Sequence, residues 1–121
     1  MAEFDELVDR YIEVWNETDA DKRRELIAKT FTQGTYFVDP LQECQGQSGI
    51  ETLVASVQGK FPDHRFRRAG AVDACRDHIR FRWVLAPSGG DAFVEGTDFA
   101  QVIEGRLHRV TGFFDRLPAT G

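Results

Sequence analysis

Apolar residues in the first turns of the chain fall at Phe4, Leu7, Val8, Tyr11, Ile12 and Trp15. That i, i+3, i+4 spacing lines one side of a helix, and it predicts a first helix of about four turns. The stripe breaks at NETDAD, residues 16–21, where Asn, Thr and Asp side chains can accept from the free N–H groups of a second helix. Leu26, Ile27 and Phe31 are assigned to that second helix. After Gly34 the pattern changes to TYFV, a short strand that Asp39-Pro40 stops, because proline restricts its predecessor and cannot donate to a ladder. SGIE, residues 48–51, has the form of a capping box, with Ser48 accepting from the Glu51 N–H and Glu51 reaching back. A third helix is predicted to follow, burying Ile50, Leu53, Val54 and Val57, with Phe61 just past it and Pro62 closing the segment.

From His64 onward the period becomes two. HIRFRWVL alternates Ile79, Phe81, Trp83 and Leu85 against Arg80 and Arg82, PSGGD reads as a turn, and EGR at residues 104–106 reads as another. Residues 64–115 therefore read as four strands in an antiparallel meander. Helix, helix, strand, helix and then four strands is an α+β order, with three N-terminal helices over one face of a curved, mainly antiparallel sheet. The concave side of such a sheet is a usual place for a small-molecule site.

At 121 residues the chain is long enough for one domain, residues 1–121, and too short for two cores. A net charge of -5 repels phosphate backbones and anionic bilayers, which argues against nucleic acid and membrane as partners. Cys44 and Cys75 form neither a zinc motif nor a disulfide framework, so reduced thiols are expected. MAEFDELVDRY is acidic and periodic, unlike a signal peptide, and no apolar run approaches the roughly 20 residues of a membrane span. A cytoplasmic protein is the expectation, with disorder confined to the closing LPATG.

Three residues could carry chemistry. Asp39, before proline, is either a turn former whose carboxylate accepts from backbone N–H groups or an acid of a site. Asp98 shares strand parity with Ala92, Val94, Gly96, Ala100 and Val102. If those small residues face inward, a carboxyl among them must be paired, neutralised or functional; if Phe93 and Phe99 are the core face, Asp98 faces water. Tyr11 carries its hydroxyl inward on the first helix, where it bonds a backbone carbonyl or serves a site. Trp15, Phe37, Trp83 and Phe113 are core rings, some reaching a cavity, and His64 shares parity with Phe66 and could line its mouth. His78 belongs to the surface, His108 to the structure, and RFRR at residues 65–68 to a strand rim. No metal site is read from the sequence.

RYIEVW, YFVDP, GTDF and the closing GRLHRVTGFFD together resemble the SnoaL-like proteins of the NTF2-like superfamily, which includes ketosteroid isomerase, polyketide cyclases, limonene epoxide hydrolase and scytalone dehydratase. The similarity runs from about residue 5 to residue 115 and implies the cone-shaped NTF2-like fold. Ketosteroid isomerase gives the nearest residue matches. Its catalytic aspartate in an Asp-Pro step falls on Asp39, its oxyanion tyrosine after an arginine on Tyr11, and its hydrogen-bonding acid on Asp98. In the cyclases the acid/base role lies on a late-strand aspartate, which would move it to Asp98. QECQGQ after Asp39-Pro40 departs from the isomerase, and Trp15, Trp83 and Phe113 would shrink a steroid-sized cavity. The resemblance implies a homodimer through the outer face of the sheet, binding a small hydrophobic ligand. As an enzyme it would be an isomerase or cyclase moving a proton on a small hydrophobic carbonyl compound without metal or organic cofactor. The alternatives are a non-catalytic binding or interaction module, an epoxide hydrolase-like activity using Arg80 or Arg82, and a histidine-based dehydratase.

Overall fold

A computed structural model describes residues 2–118. Of the closing LPATG, only Leu117 and Pro118 fall among them. Three helices, α1 (Ala2–Asn16), α2 (Ala20–Thr30) and α3 (Gly46–Lys60), pack on the strands β1 (Phe31–Val38), β2 (Glu43–Gln45), β3 (His64–Arg68), β4 (Asp73–Cys75), β5 (His78–Pro87), β6 (Val94–Ile103) and β7 (Arg106–Arg116). The sheet order is β2-β1-β7-β6-β5-β3, with β4 also on β5. Neighbours are antiparallel except β1 and β7, which run parallel. Register shifts between β6 and β7 at Glu95/Gly96 and Gln101/Val102 bend the sheet around the helices.

On α1 the predicted stripe is buried at Leu7, Val8, Tyr11, Ile12 and Trp15. Asp19 caps α2 by accepting from the N–H groups of Asp21 and Lys22 at 3.0 and 3.1 Å. Phe31 lies outside α2: it is the first residue of β1 and wholly buried, so the strand begins before Gly34 rather than after it. Its β-branched neighbours Thr30 and Thr32 favour extended backbone at this junction.

Expectation and structure also part at α3. The helix starts at Gly46, before the SGIE segment, and its N-cap Gln45 makes no side-chain cap bond. Gly46 has φ +74°, a left-handed conformation that lets β2 turn straight into the helix. Glu51 makes no capping box with Ser48, because it grips Arg23 through Nε and Nη2 at 2.6 and 2.7 Å. Arg23 is only 4% exposed, and it also donates to the Glu17 carbonyl and to Gln58 Oε1. A buried guanidinium needs a paired carboxylate far more than a solvated helix end needs a second cap.

The segment expected to hold four strands holds five. Gly70, at φ +94°, interrupts the chain so that β3 and β4 pair with different halves of β5. The alternation in β5 and β6 is realised: Ile79, Phe81, Trp83, Val94, Ala100 and Val102 are buried, while Arg80, Arg82 and Phe99 face out.

Candidate active site

Between α1, α3 and the inner face of the sheet lies a cavity of about 260 Å³. Its walls are rings from every layer: Trp15 from α1, Phe37 from β1, Phe66 from β3, Trp83 from β5 and Phe114 from β7. Trp15 meets Phe37 at 5.8 Å and Phe66 at 5.3 Å between centroids, and Phe66 meets Trp83 at 5.4 Å. Among the described residues the polar groups of the lining are those of Tyr11, Asp39, Gln42 and Asp98 and the indole N–H groups of Trp15 and Trp83.

Sheet register brings the two acids together. Phe81, Asp98 and Gly112 stand opposite one another on β5, β6 and β7, so their side-chain positions share the inner face. The parallel pairing of β1 with β7 sets Val38 against Thr111, which carries the next residue, Asp39, to the level of Gly112. Asp39 has the parity of Phe37 and therefore also turns inward. Gly112 supplies the room: a Cβ there would stand 2.8 Å from Asp98 Oδ1 and 3.4 Å from Asp39 Cβ.

Asp98 is 3% exposed. Its Oδ2 accepts from the Tyr11 hydroxyl at 2.7 Å, and its Oδ1 accepts from Trp83 Nε1 at 2.9 Å. Gly96 makes the second bond possible, since a Cβ there would lie 2.2 Å from the Trp83 ring and push the indole off the strand. Burial raises the Asp98 pKa from 3.8 to about 6. The hydrogen bonds from Tyr11 and Trp83 oppose that rise, and the charges of Asp39 and Asp115 add to it. Tyr11 is pushed well above the usual phenol value by burial and by the charge and hydrogen bond of Asp98, against a smaller pull from the Trp15 N–H. Trp15 Nε1 is buried and, although it points its N–H dipole at the phenol, has no partner within hydrogen-bond geometry among the described residues.

Asp39 is the turn former expected before proline, and its side chain also lines the cavity. Oδ1 accepts from the N–H groups of Leu41 and Gln42 at 2.9 and 3.0 Å, which fixes the turn after Pro40. Oδ2 makes no hydrogen bond among the described residues, and the side chain lines the cavity. The carboxylate is thereby held in place with one oxygen free.

Of the other expected lining residues, Trp15, Phe37 and Trp83 reach the cavity. Phe113 does not. It is 50% exposed on the outer face, edge-to-face with Phe99 at 5.9 Å, because it pairs with Thr97 and so takes the parity opposite to Gly112 and Phe114. His64 also stays out of the lining and packs at the rim against Phe61 and Phe93, with Nδ1 2.9 Å from the Pro62 carbonyl. His78 is exposed beside Asp77, and His108 meets Thr32 Oγ1 at 2.8 Å. Among the described residues no histidine lines the cavity, and Arg80 and Arg82 are exposed on the far side of the sheet.

Sequence reasoning missed Gln42, Phe66, Phe93 and Phe114 as lining residues. Phe114 was within reach of it, since parity with Val110 already turned it inward. Among the described residues no group of three or more His, Cys, Asp or Glu could hold a metal ion, and no helix is long and apolar enough to cross a membrane.

A family model described as SnoaL-like polyketide cyclase matches residues 5–120. Among solved structures, the chain is similar to a candidate isomerase of the SnoaL-like family from Agrobacterium tumefaciens str. C58, at 36% identity over 96% of this chain and 100% of the other, with a TM-score of 0.91. An NTF2-like protein of unknown function from Exiguobacterium sp. 255-15 shares 26% identity over 90% of this chain and 98% of its own, at a TM-score of 0.71. A protein with a ketosteroid isomerase-like fold from Catenulispora acidiphila, solved in complex with trimethylamine, shares the fold alone at 15% identity and a TM-score of 0.73, over 88% of this chain and 83% of the other. No curated protein matches the sequence.

Proposed function

The chain belongs to the SnoaL-like polyketide cyclase family, and from that premise we propose that it is a cofactor-independent isomerase or cyclase-type enzyme moving a proton on a small hydrophobic carbonyl compound. One observation carries the proposal: two carboxyls flank Gly112 in an aromatic cavity, and burial raises the proton affinity of the deeper one, Asp98, towards neutrality. A carboxyl whose pKa is raised by burial can keep its proton and donate it, which leaves the base role to the other carboxyl of the pair.

Asp39, oriented by its turn, is assigned as base: its free Oδ2 takes the proton from the carbon beside the carbonyl. Electrons from that C–H bond move into the carbonyl, giving an enolate. Protonated Asp98, held by the Tyr11 hydroxyl that it accepts from, donates its own proton to the enolate oxygen, and displacement of water by the substrate favours the neutral form of Asp98. Asp39 then returns the proton to another carbon, so the substrate is isomerised with no net redox change. The cavity, at about 260 Å³, is below the range of about 300–1,000 Å³ usual for drug-sized ligands, which supports a substrate smaller than a steroid.

The two free cysteines support work in the reducing cytoplasm. Exposed Phe99, Phe113 and Ile103 on the outer sheet face support a homodimer there, which sedimentation analysis of the wild type and of Phe113→Glu would test. For the activity, a β,γ-unsaturated cyclohexenone is supplied and the absorbance of the conjugated product is followed. Wild type is expected to turn over, and Asp39→Asn to lose turnover while still showing a ligand-induced thermal shift. Retained turnover in Asp39→Asn would remove Asp39 as base.

A further inference from the structure

Above its raised pKa of about 6 the free protein holds Asp98 as a buried carboxylate, and among the described residues no cation is paired with it. Its partners are two neutral donors, Tyr11 and Trp83, and among the described residues no Lys, Arg or His lines the cavity it faces. Elsewhere the protein treats buried charge differently, since Arg23 is matched by Glu51 through two bonds. Two neutral hydrogen bonds leave a full charge without a counter-ion in a buried site, and a ligand carrying the opposite charge is the group that would compensate it. The walls favour the same kind of ligand. Phe37, Trp15, Phe66 and Trp83 form a chain of rings lining the cavity, with successive centroids 5.8, 5.3 and 5.4 Å apart, and aromatic faces attract a cation within about 6 Å of their centroids.

We propose that the cavity binds small hydrophobic amines in their ammonium form, with Asp98 as counter-charge, Asp39 as a second acceptor and the aromatic walls enclosing the rest of the molecule. This goes beyond proton transfer on a carbonyl compound: it uses the same cavity and requires no reaction. Each oxygen of a carboxylate accepts two hydrogen bonds, so Asp98 keeps acceptor capacity beside Tyr11 and Trp83, and Asp39 Oδ2 is free. An anion of equal size meets two carboxylates, no cation and almost no polar wall. The volume of about 260 Å³, below the usual range of about 300–1,000 Å³ for drug-sized ligands, suits a single ring with a short arm.

Isothermal titration of the full chain at pH 7.5 with benzylamine, benzyl alcohol and benzoate tests the claim, because the three differ in charge far more than in size. Benzylamine is expected to bind at least tenfold more tightly than benzyl alcohol, and benzoate to give no heat of binding. In Asp98→Asn, with folding checked by near-ultraviolet circular dichroism, the preference for amine over alcohol should fall at least tenfold. Equal or tighter binding of the alcohol, binding of benzoate, no binding by any probe, or an amine preference that survives Asp98→Asn would each overturn the inference. The wild-type comparison stands even if the variant does not fold. Turnover of the cyclohexenone without amine binding sinks this inference alone, whereas amine binding without turnover sinks the enzymatic proposal alone.

Discussion

Replacing Asp98 by Asn removes a charge that burial makes costly while keeping the side chain's outline. Its carboxyl is raised from 3.8 to about 6, by burial first, with the charges of Asp39 and Asp115 adding and the Tyr11 and Trp83 bonds opposing. A displacement of that size is worth about 3 kcal/mol. Between about pH 4 and pH 6 the folded protein keeps this proton and the unfolded chain has released it, so the folded state binds more protons and stability falls as pH rises. The loss is absent below that window and complete above it. Glu51, Asp19 and Asp77 are held below their ordinary values and contribute with the opposite sign, losing their stabilisation as pH falls, so a single pH profile mixes the two effects. Their contributions cancel in the difference between wild type and Asp98→Asn. Urea unfolding, followed by fluorescence of the buried Trp15 and Trp83, would be run from pH 4 to pH 7.5. The Asn variant should gain on wild type by about 3 kcal/mol across that range. Any fixed cost of turning an amide N–H toward Tyr11 or Trp83 shifts the whole difference curve and leaves its slope intact. Profiles that stay parallel to within about 0.5 kcal/mol would show that Asp98 is not ionised in a dry site.

Other substitutions probe how that carboxylate is held. Tyr11→Phe removes a hydrogen bond that lowers the Asp98 pKa, so its ¹³C carboxyl titration should move up, and an unmoved midpoint would mean that the phenol does not hold the acid. Gly96→Ala places a Cβ 2.2 Å from the Trp83 ring and 2.8 Å from the Phe113 carbonyl. Calorimetry should show a loss of about 1–3 kcal/mol from the overpacked strand pair, and an unchanged melting temperature would contradict the close approach of the indole to β6.

Most of the architecture could be read from the chain because it rests on local periodicity. The α1 stripe and the alternation of β5 and β6 each repeat several times, and the turns between them carry their own residues. The elements that escaped are those with no period to read: β2 and β4 are three residues each. Ser48 and Glu51 match a capping box locally, but a buried arginine on α2, remote in sequence, claims the glutamate. The site was legible as a set of residues and not as a geometry. Parity left Asp98 open to either face, and Phe113 was expected at the cavity that it does not reach; nor does any sequence pattern announce that β1 lies parallel to β7, the pairing that sets Asp39 beside Gly112. Gly96 and Gly112 look like ordinary strand glycines until the groups occupying their missing side chains, Trp83 and Asp98, are known.

Coupling of the two acids is best measured by following the Asp98 carboxyl carbon by NMR across pH in wild type and in Asp39→Asn. Wild type should titrate at about 6, and removing the Asp39 charge, which raises the Asp98 value, should bring the midpoint down. A wild-type midpoint in the ordinary aspartate range, or one indifferent to residue 39, would contradict a shared dry cavity.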